Sequence, residues 1–122
     1  MKMYSIAAFI PSGNDMNLSK QLFQDLGFTM TWDQDDYAGF EKDGCKFILQ
    51  NYNQKGFAEN LMLSVQISSV EEYRNMILEK KLVEKYGIRV SEIMEQPYGK
   101  EVNLIDIAGV CWHFVQQPDL NS

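Results

Sequence analysis

The 122-residue chain predicts an α+β domain built from two similar strand–helix–strand–strand–strand halves. Three observations predict it. The order strand, helix, three strands can be read twice along the chain. A helix ending repeats: Leu22-Phe23-Gln24-Asp25-Leu26-Gly27-Phe28 aligns with Leu82-Val83-Glu84-Lys85-Tyr86-Gly87-Ile88, an offset of 60. A hairpin and closing strand repeat too, Gly44 to Gln50 against Gly109 to Val115, an offset of 65. Each match alone is weak, but two in the same order with nearly equal offsets mark an internal duplication, which decides the fold class.

In the first half, Tyr4 to Ile10 reads as a buried strand, and Pro11-Ser12-Gly13-Asn14-Asp15 as a turn cluster. Leu18, Leu22 and Leu26 recur at helical spacing with Phe23 beside them, and Gly27 stops the helix. Phe28 to Trp32 alternates as a strand does, and Asp33 to Asp36 is an acidic turn. Tyr37 to Glu41 and Cys45 to Gln50 are strands joined at Lys42-Asp43-Gly44, a hairpin signal. Asn51 to Asn60 is polar and links the halves.

In the second half, Leu61, Leu63, Val65 and Ile67 alternate with Met62, Ser64 and Gln66, a period-two strand. Ser69-Val70-Glu71-Glu72 is a capping box opening a helix that runs to Gly87. Ile88 to Met94, Val102 to Ile107 and Val110 to Val115 are strands, with a turn at Gln96-Pro97-Tyr98-Gly99. The division expected is one domain over residues 1–122: module one about 1–52, a linker about 53–60, module two about 61–116, and a polar, frayed tail 117–122.

Composition narrows the partners. An apolar fraction of 45% and a charged fraction of 23% are those of a globular domain with a real core. A net charge of −6 repels phosphate backbones and anionic lipid, so nucleic acid and membranes are not expected partners. The same charge serves solubility and is compatible with a cationic ligand. The N-terminal apolar run is too short to span a bilayer and lacks a signal-peptide cleavage site, so the protein is expected in the cytoplasm. Cys45 and Cys111 have no metal-ligand spacing and are expected as two buried, reduced thiols, with a single disulfide as the alternative.

The helix ending Leu22 to Phe28, the Asp-Gly hairpin within Tyr37 to Leu49, and the stretch Tyr98 to Phe114 with its Asp106-Ile107-Ala108-Gly109 hairpin resemble the glyoxalase/bleomycin-resistance/extradiol-dioxygenase (vicinal oxygen chelate) superfamily. The resemblance covers nearly the whole chain. It implies two βαβββ modules forming a cup-shaped, mostly antiparallel half-barrel with helices outside, and commonly a homodimer. The superfamily's metal enzymes place one ligand on the first and one on the last strand of each module. Here those positions align with Ala7, Ile48, Met62 and His113. Ala and Ile cannot ligate and Met suits only soft metals, so no metal site and no cofactor is expected.

Strand parity sends Phe47, Leu49, Leu63, Val65, Ile67, Trp112 and Phe114 to the helix side. It leaves Ala7, Phe9, Lys46, Ile48, Gln50, Met62, Ser64, Gln66, Cys111 and His113 in the cup. The candidate ligand-binding set is Phe9, Trp32, Ile48, Gln50, Met62, Ser64, Cys111 and His113. Trp32 could stack on a planar ligand. His113, the one histidine, is an acid/base candidate or a half-buried structural group. Cys111, two residues away, is a structural thiol or a nucleophile, although i and i+2 backbones lie about 7 Å apart. Tyr98 and Glu101 flank the Gly99 turn, where bleomycin-resistance-like proteins close the mouth of their pocket, or form a solvated turn.

The expectation is therefore a metal-free small-molecule-binding protein resembling bleomycin-resistance proteins, sequestering a cationic or aromatic ligand, without a catalytic residue. The alternative is a glyoxalase-like lyase or dioxygenase-type enzyme using His113, with or without a divalent metal. A structural dimer with a filled cup is a third possibility.

Overall fold

The computed structural model describes residues 1–118. The last four residues of the expected tail lie outside the described residues. The first half comprises β1 (Ala8–Pro11), α1 (Met16–Asp25), β2 (Thr29–Asp33), β3 (Tyr37–Lys42) and β4 (Cys45–Gln50). A short helix α2 (Lys55–Asn60) lies within the connecting segment. The second half comprises β5 (Met62–Gln66), α3 (Val70–Glu79), α4 (Leu82–Tyr86), β6 (Arg89–Val90), β7 (Met94–Gln96), β8 (Gly99–Ile105) and β9 (Cys111–Gln116). The first sheet has the order β1-β4-β3-β2, the second β5-β9-β8-β6 with β7 also on β8. In each half the first strand pairs parallel with the last, and every other pairing is antiparallel. The duplication read from the sequence is thus repeated in the strand topology. Among the described residues no helix is long and apolar enough to cross a membrane.

One face of each sheet is buried. Ile10, Phe40, Phe47 and Leu49 from the first sheet meet Leu22, Phe23 and Leu26 of α1, and Val102, Leu104, Trp112 and Phe114 from the second complete the same core. The halves join through aromatic rings. Phe23 lies 4.8 Å from Phe47 and 5.4 Å from Trp112, and Phe47 lies 5.3 Å from Trp112, centroid to centroid. Such tilted and edge-on pairs suit the ring quadrupoles and add to the area they bury. Polar ties run beside them: Lys85 Nζ reaches Asp25 Oδ2 at 2.9 Å, and the Tyr86 hydroxyl donates to the same carboxylate. Asp15 caps α1 by accepting from Leu18 N, and Ser69 caps α3 by accepting from Glu72 N, the Ser69 half of the expected capping box.

Five expectations need correction. The first strand begins at Ala8, not Tyr4: its parallel pairing with β4 starts at Ala8 and Phe47. The preceding segment runs past the sheet, leaving Met1, Met3, Tyr4 and Ile6 at least 88% exposed. The expected helix to Gly87 is two helices, broken at Lys81 with φ +56°. Ile77 and Leu82 are both buried, yet five residues in one helix would point them about 140° apart. The left-handed residue resets the phase so that both face the core. The strand expected over Ile88 to Met94 divides into β6 and β7. Between them Ser91 holds Asn103 with its backbone N–H and its hydroxyl, both at 2.9 Å. The strand expected over Val102 to Ile107 runs instead from Gly99 to Ile105. Finally, Cys45 is exposed at the hairpin rather than buried.

The hairpin before β9 is built on Asp106. Its Oδ1 accepts from the backbone N–H groups of Ala108, Gly109 and Val110 at 2.9–3.1 Å, and its Oδ2 accepts from Trp112 Nε1 at 2.9 Å. Burial raises its carboxyl to about 6, against the pull of those four donors. Asp106→Ala leaves these donors without their acceptor and is expected to cost about 2–4 kcal/mol in urea unfolding at pH 7. The folded value lies above the unfolded one, so this carboxyl favours the fold more at low pH and less as pH rises through 6. The gap between wild type and Asp106→Ala therefore widens at pH 5; a gap that narrows there contradicts the assignment.

Candidate functional site

The faces turned away from the core carry the predicted site residues. On the first sheet, register sets one row across four strands: Phe9, Ile48, Gly39 and Trp32. Gly39 is required here. A Cβ on it would stand 2.1 Å from Trp32 Nε1, so the indole lies directly over the glycine. Phe9 is 52% exposed and meets Tyr37 edge-on at 6.1 Å, and Gln50 pairs with Tyr37 in register. This half-site is an open apolar strip with an amide at its end.

The second sheet presents three rows: Met62, Cys111 and Ile105; Ser64, His113 and Asn103; Gln66, Val115 and Glu101. Here the side chains interact. Cys111 Sγ lies 3.3 Å from His113 Nε2, and His113 Nδ1 lies 3.3 Å from Glu101 Oε2. The Tyr98 hydroxyl donates to Glu101 Oε1 at 2.5 Å. Ser64, Gln66, Tyr98, Glu101, His113, Val115 and Gln117 line a cavity of about 380 Å³. A larger cleft of about 640 Å³, between the end of α1 and α3, contains none of the predicted ligand-binding residues.

The electrostatics follow from burial. The Glu101 side chain is 5% exposed and that of His113 28%. Desolvation pushes Glu101 up, but the hydrogen bonds from Tyr98 and His113 outweigh it, and its carboxyl sits below the ordinary range. An ionised carboxylate only accepts, so His113 turns a protonated Nδ1 towards Glu101; in the neutral imidazole of that tautomer Nε2 is the acceptor facing the Cys111 thiol. Burial pushes the thiol of Cys111 up, and the charges of Glu101 and Asp106 act in the same direction. Asn103 Oδ1, in register with His113, is buried with no hydrogen-bond partner among the described residues. An unsatisfied buried acceptor is uncommon, and it marks a place for a donor from water or a ligand.

No protein-family model matches the chain, and no curated protein matches it in sequence. Solved structures do match in shape. A bleomycin-binding protein from Streptomyces verticillus, complexed with copper(II)-bleomycin, superposes with a TM-score of 0.77 at 17% identity, over 97% of this chain and 100% of that one. The antibiotic-binding protein TnmS3 from Streptomyces sp. CB03234 gives 0.76 at 16%, over 97% and 99%. The fosfomycin resistance protein FosX from Listeria monocytogenes, with Mn(II) and sulfate, gives 0.75 at 15%, over 97% and 93%. The chain has the vicinal oxygen chelate fold.

Register shows where the four positions named from the resemblance lie. Ile48 faces Phe9 across β1 and β4, and His113 faces Ser64 across β5 and β9. Ala7 precedes β1, and Met62 stands opposite Cys111 instead. Ala7, Ile48, Met62 and His113 supply one imidazole and one thioether, which does not fit a hard divalent ion. Nor can Cys111, His113 and Glu101 converge on one ion, because the thiol and the carboxylate lie against opposite ring nitrogens. Among the described residues no group of three or more His, Cys, Asp or Glu is placed to hold a metal.

Of the eight predicted residues, Phe9, Trp32, Ile48 and Gln50 thus lie on the first sheet, and Met62, Ser64, Cys111 and His113 on the second. Only Ser64 and His113 line the 380 Å³ cavity. The buried Glu101 was missed as a partner of His113. Period-two parity was the available signal: Glu101, Asn103 and Ile105 alternate with the apolar Val102 and Leu104, placing Glu101 on the face that carries His113.

Proposed function

We propose that this chain is a small-molecule-binding protein that takes a cationic or aromatic ligand on the outer faces of its sheets, without a metal ion. The carrying observation is the Tyr98–Glu101–His113 network beside a cavity, where a buried carboxylate offers a cation a partner and the imidazole and phenol offer it ring surface. Trp32 and Phe9 add an aromatic strip on the other sheet. The likeness to bleomycin-binding and antibiotic-binding structures favours sequestration. FosX, with its Mn(II), favours an enzyme, but among the described residues no group of three or more His, Cys, Asp or Glu is placed to hold such an ion. The free thiols of Cys45 and Cys111 suit a reducing compartment such as the cytoplasm.

Thermal unfolding against a panel of cationic aromatic compounds, metal-free bleomycin among them, tests this reading. At 100 times its dissociation constant a ligand adds about 2.7 kcal/mol, a visible rise in Tm. The expected result is a rise for cationic members that shrinks in Glu101→Gln. Stabilisation by anionic members only, or stabilisation indifferent to Glu101→Gln, refutes it.

We further propose a homodimer. Phe9 on edge strand β1 and Met62 on edge strand β5 are 52% and 67% exposed, and the arm before β1 exposes Met1, Met3, Tyr4 and Ile6. A second copy would cover both the apolar surface and the strand edges. Sedimentation equilibrium is expected to give twice the chain mass, falling towards one chain when residues 2–7 are deleted. A monomer at 100 μM contradicts the proposal.

A further inference from the structure

The Cys111–His113–Glu101 line has the geometry of an activated nucleophile. A thiol lies against a ring nitrogen, the opposite ring nitrogen is held by a carboxylate, and a phenol fixes that carboxylate. We propose that Cys111 captures soft carbon electrophiles, specifically α,β-unsaturated carbonyl compounds, as covalent thioethers, with His113 as the base. This rests on the binding reading above and names a ligand class for the same face.

The chemistry balances without a co-reactant. As the electrophile approaches, the S–H proton passes to His113 Nε2 and the sulfur electron pair forms an S–C bond at the β-carbon. The C=C pair shifts to the enolate, whose α-carbon takes a proton back from the imidazolium. The product is a thioether, and His113 returns to its starting state. Apolar Met62 and Ile105 flank Cys111 in its row and suit the hydrocarbon body of such a compound. The thiol is not ionised at rest: burial and the neighbouring carboxylates push it up. Proton transfer to His113 must therefore accompany attack, which spares the thiol from indiscriminate alkylation. Glu101 is a positioning residue, holding the tautomer that leaves Nε2 free.

The chain contains its own control. Cys45 is exposed on the β3–β4 hairpin, so the test uses Cys45→Ser, in which Cys111 is the only thiol. The probe is N-ethylmaleimide, and the readout is the adduct rate by intact-mass spectrometry. His113→Ala uncovers the thiol, so a merely shielding imidazole predicts faster labelling. A base predicts labelling slowed at least about tenfold at pH 7.5. His113→Gln, closer in size, gives the same answer if the alanine variant folds poorly. Glu101→Gln slows labelling less, and both gaps narrow as pH rises and the thiol ionises unaided. The charged or titratable groups around it are Glu101 from β8, Asp106 from the turn, His113 from β9 and, further along the row, Arg89 from β6. Unchanged or faster labelling in both His113 variants overturns the proposal. Reversible binding by the cationic panel in Cys111→Ser is read separately, so the capture step can fail while the binding reading stands.

Discussion

The burial of Trp112 fixes both the fold and the site. Its ring is 3% exposed and touches Phe23, Phe28, Phe47 and Phe114, so it ties α1 and the first sheet to the second. Its Nε1–H is satisfied by Asp106, which in turn shapes the hairpin entering β9. In a strand, neighbours of an inward residue must point outward. Placing Trp112 in the core therefore places Cys111 and His113 together on the opposite face. Their contact at 3.3 Å is a consequence of core packing at the residue between them.

The two halves share a topology but have diverged in chemistry. Where the first sheet has Phe9 beside Ile48, the second has Ser64 beside His113. Where β3 has Gly39 under an indole, β8 has Asn103 beside the imidazole. One face is an apolar strip and the other a polar network with a buried carboxylate. A ligand contacting both would need an apolar body and a cationic or hydrogen-bonding end. That division follows from residues rather than from resemblance, since structural neighbours near 17% identity share a fold without sharing side chains.

Much of the fold was legible because duplication, parity and hairpin chemistry agree. Phe47, Leu49, Trp112 and Phe114 turn inward as alternation requires, and Gly87 ends its helix with φ +71°. What was not legible depended on partners. Only Ala8 to Pro11 pair with β4, and no local pattern in Tyr4 to Ala7 reveals that. The left-handed break at Lys81 serves the joint burial of Ile77 and Leu82, which only the packed core demands. The candidate site was half legible. Parity placed Cys111 and His113 together, but backbone spacing hid their side-chain contact, and Glu101 looked like part of a turn until β8 was seen to begin at Gly99.

The face carrying His113 is proposed to work without a metal ion, and metal binding can be read directly. EDTA-stripped protein should be melted with and without Ni²⁺, Mn²⁺, Fe²⁺ and Zn²⁺, alongside His113→Ala. With Ala7 and Ile48 at two of the four positions that the resemblance aligns with metal ligands, no His113-dependent change in Tm is expected. A clear rise for any of these ions that disappears in His113→Ala would contradict it and make the face a metal centre.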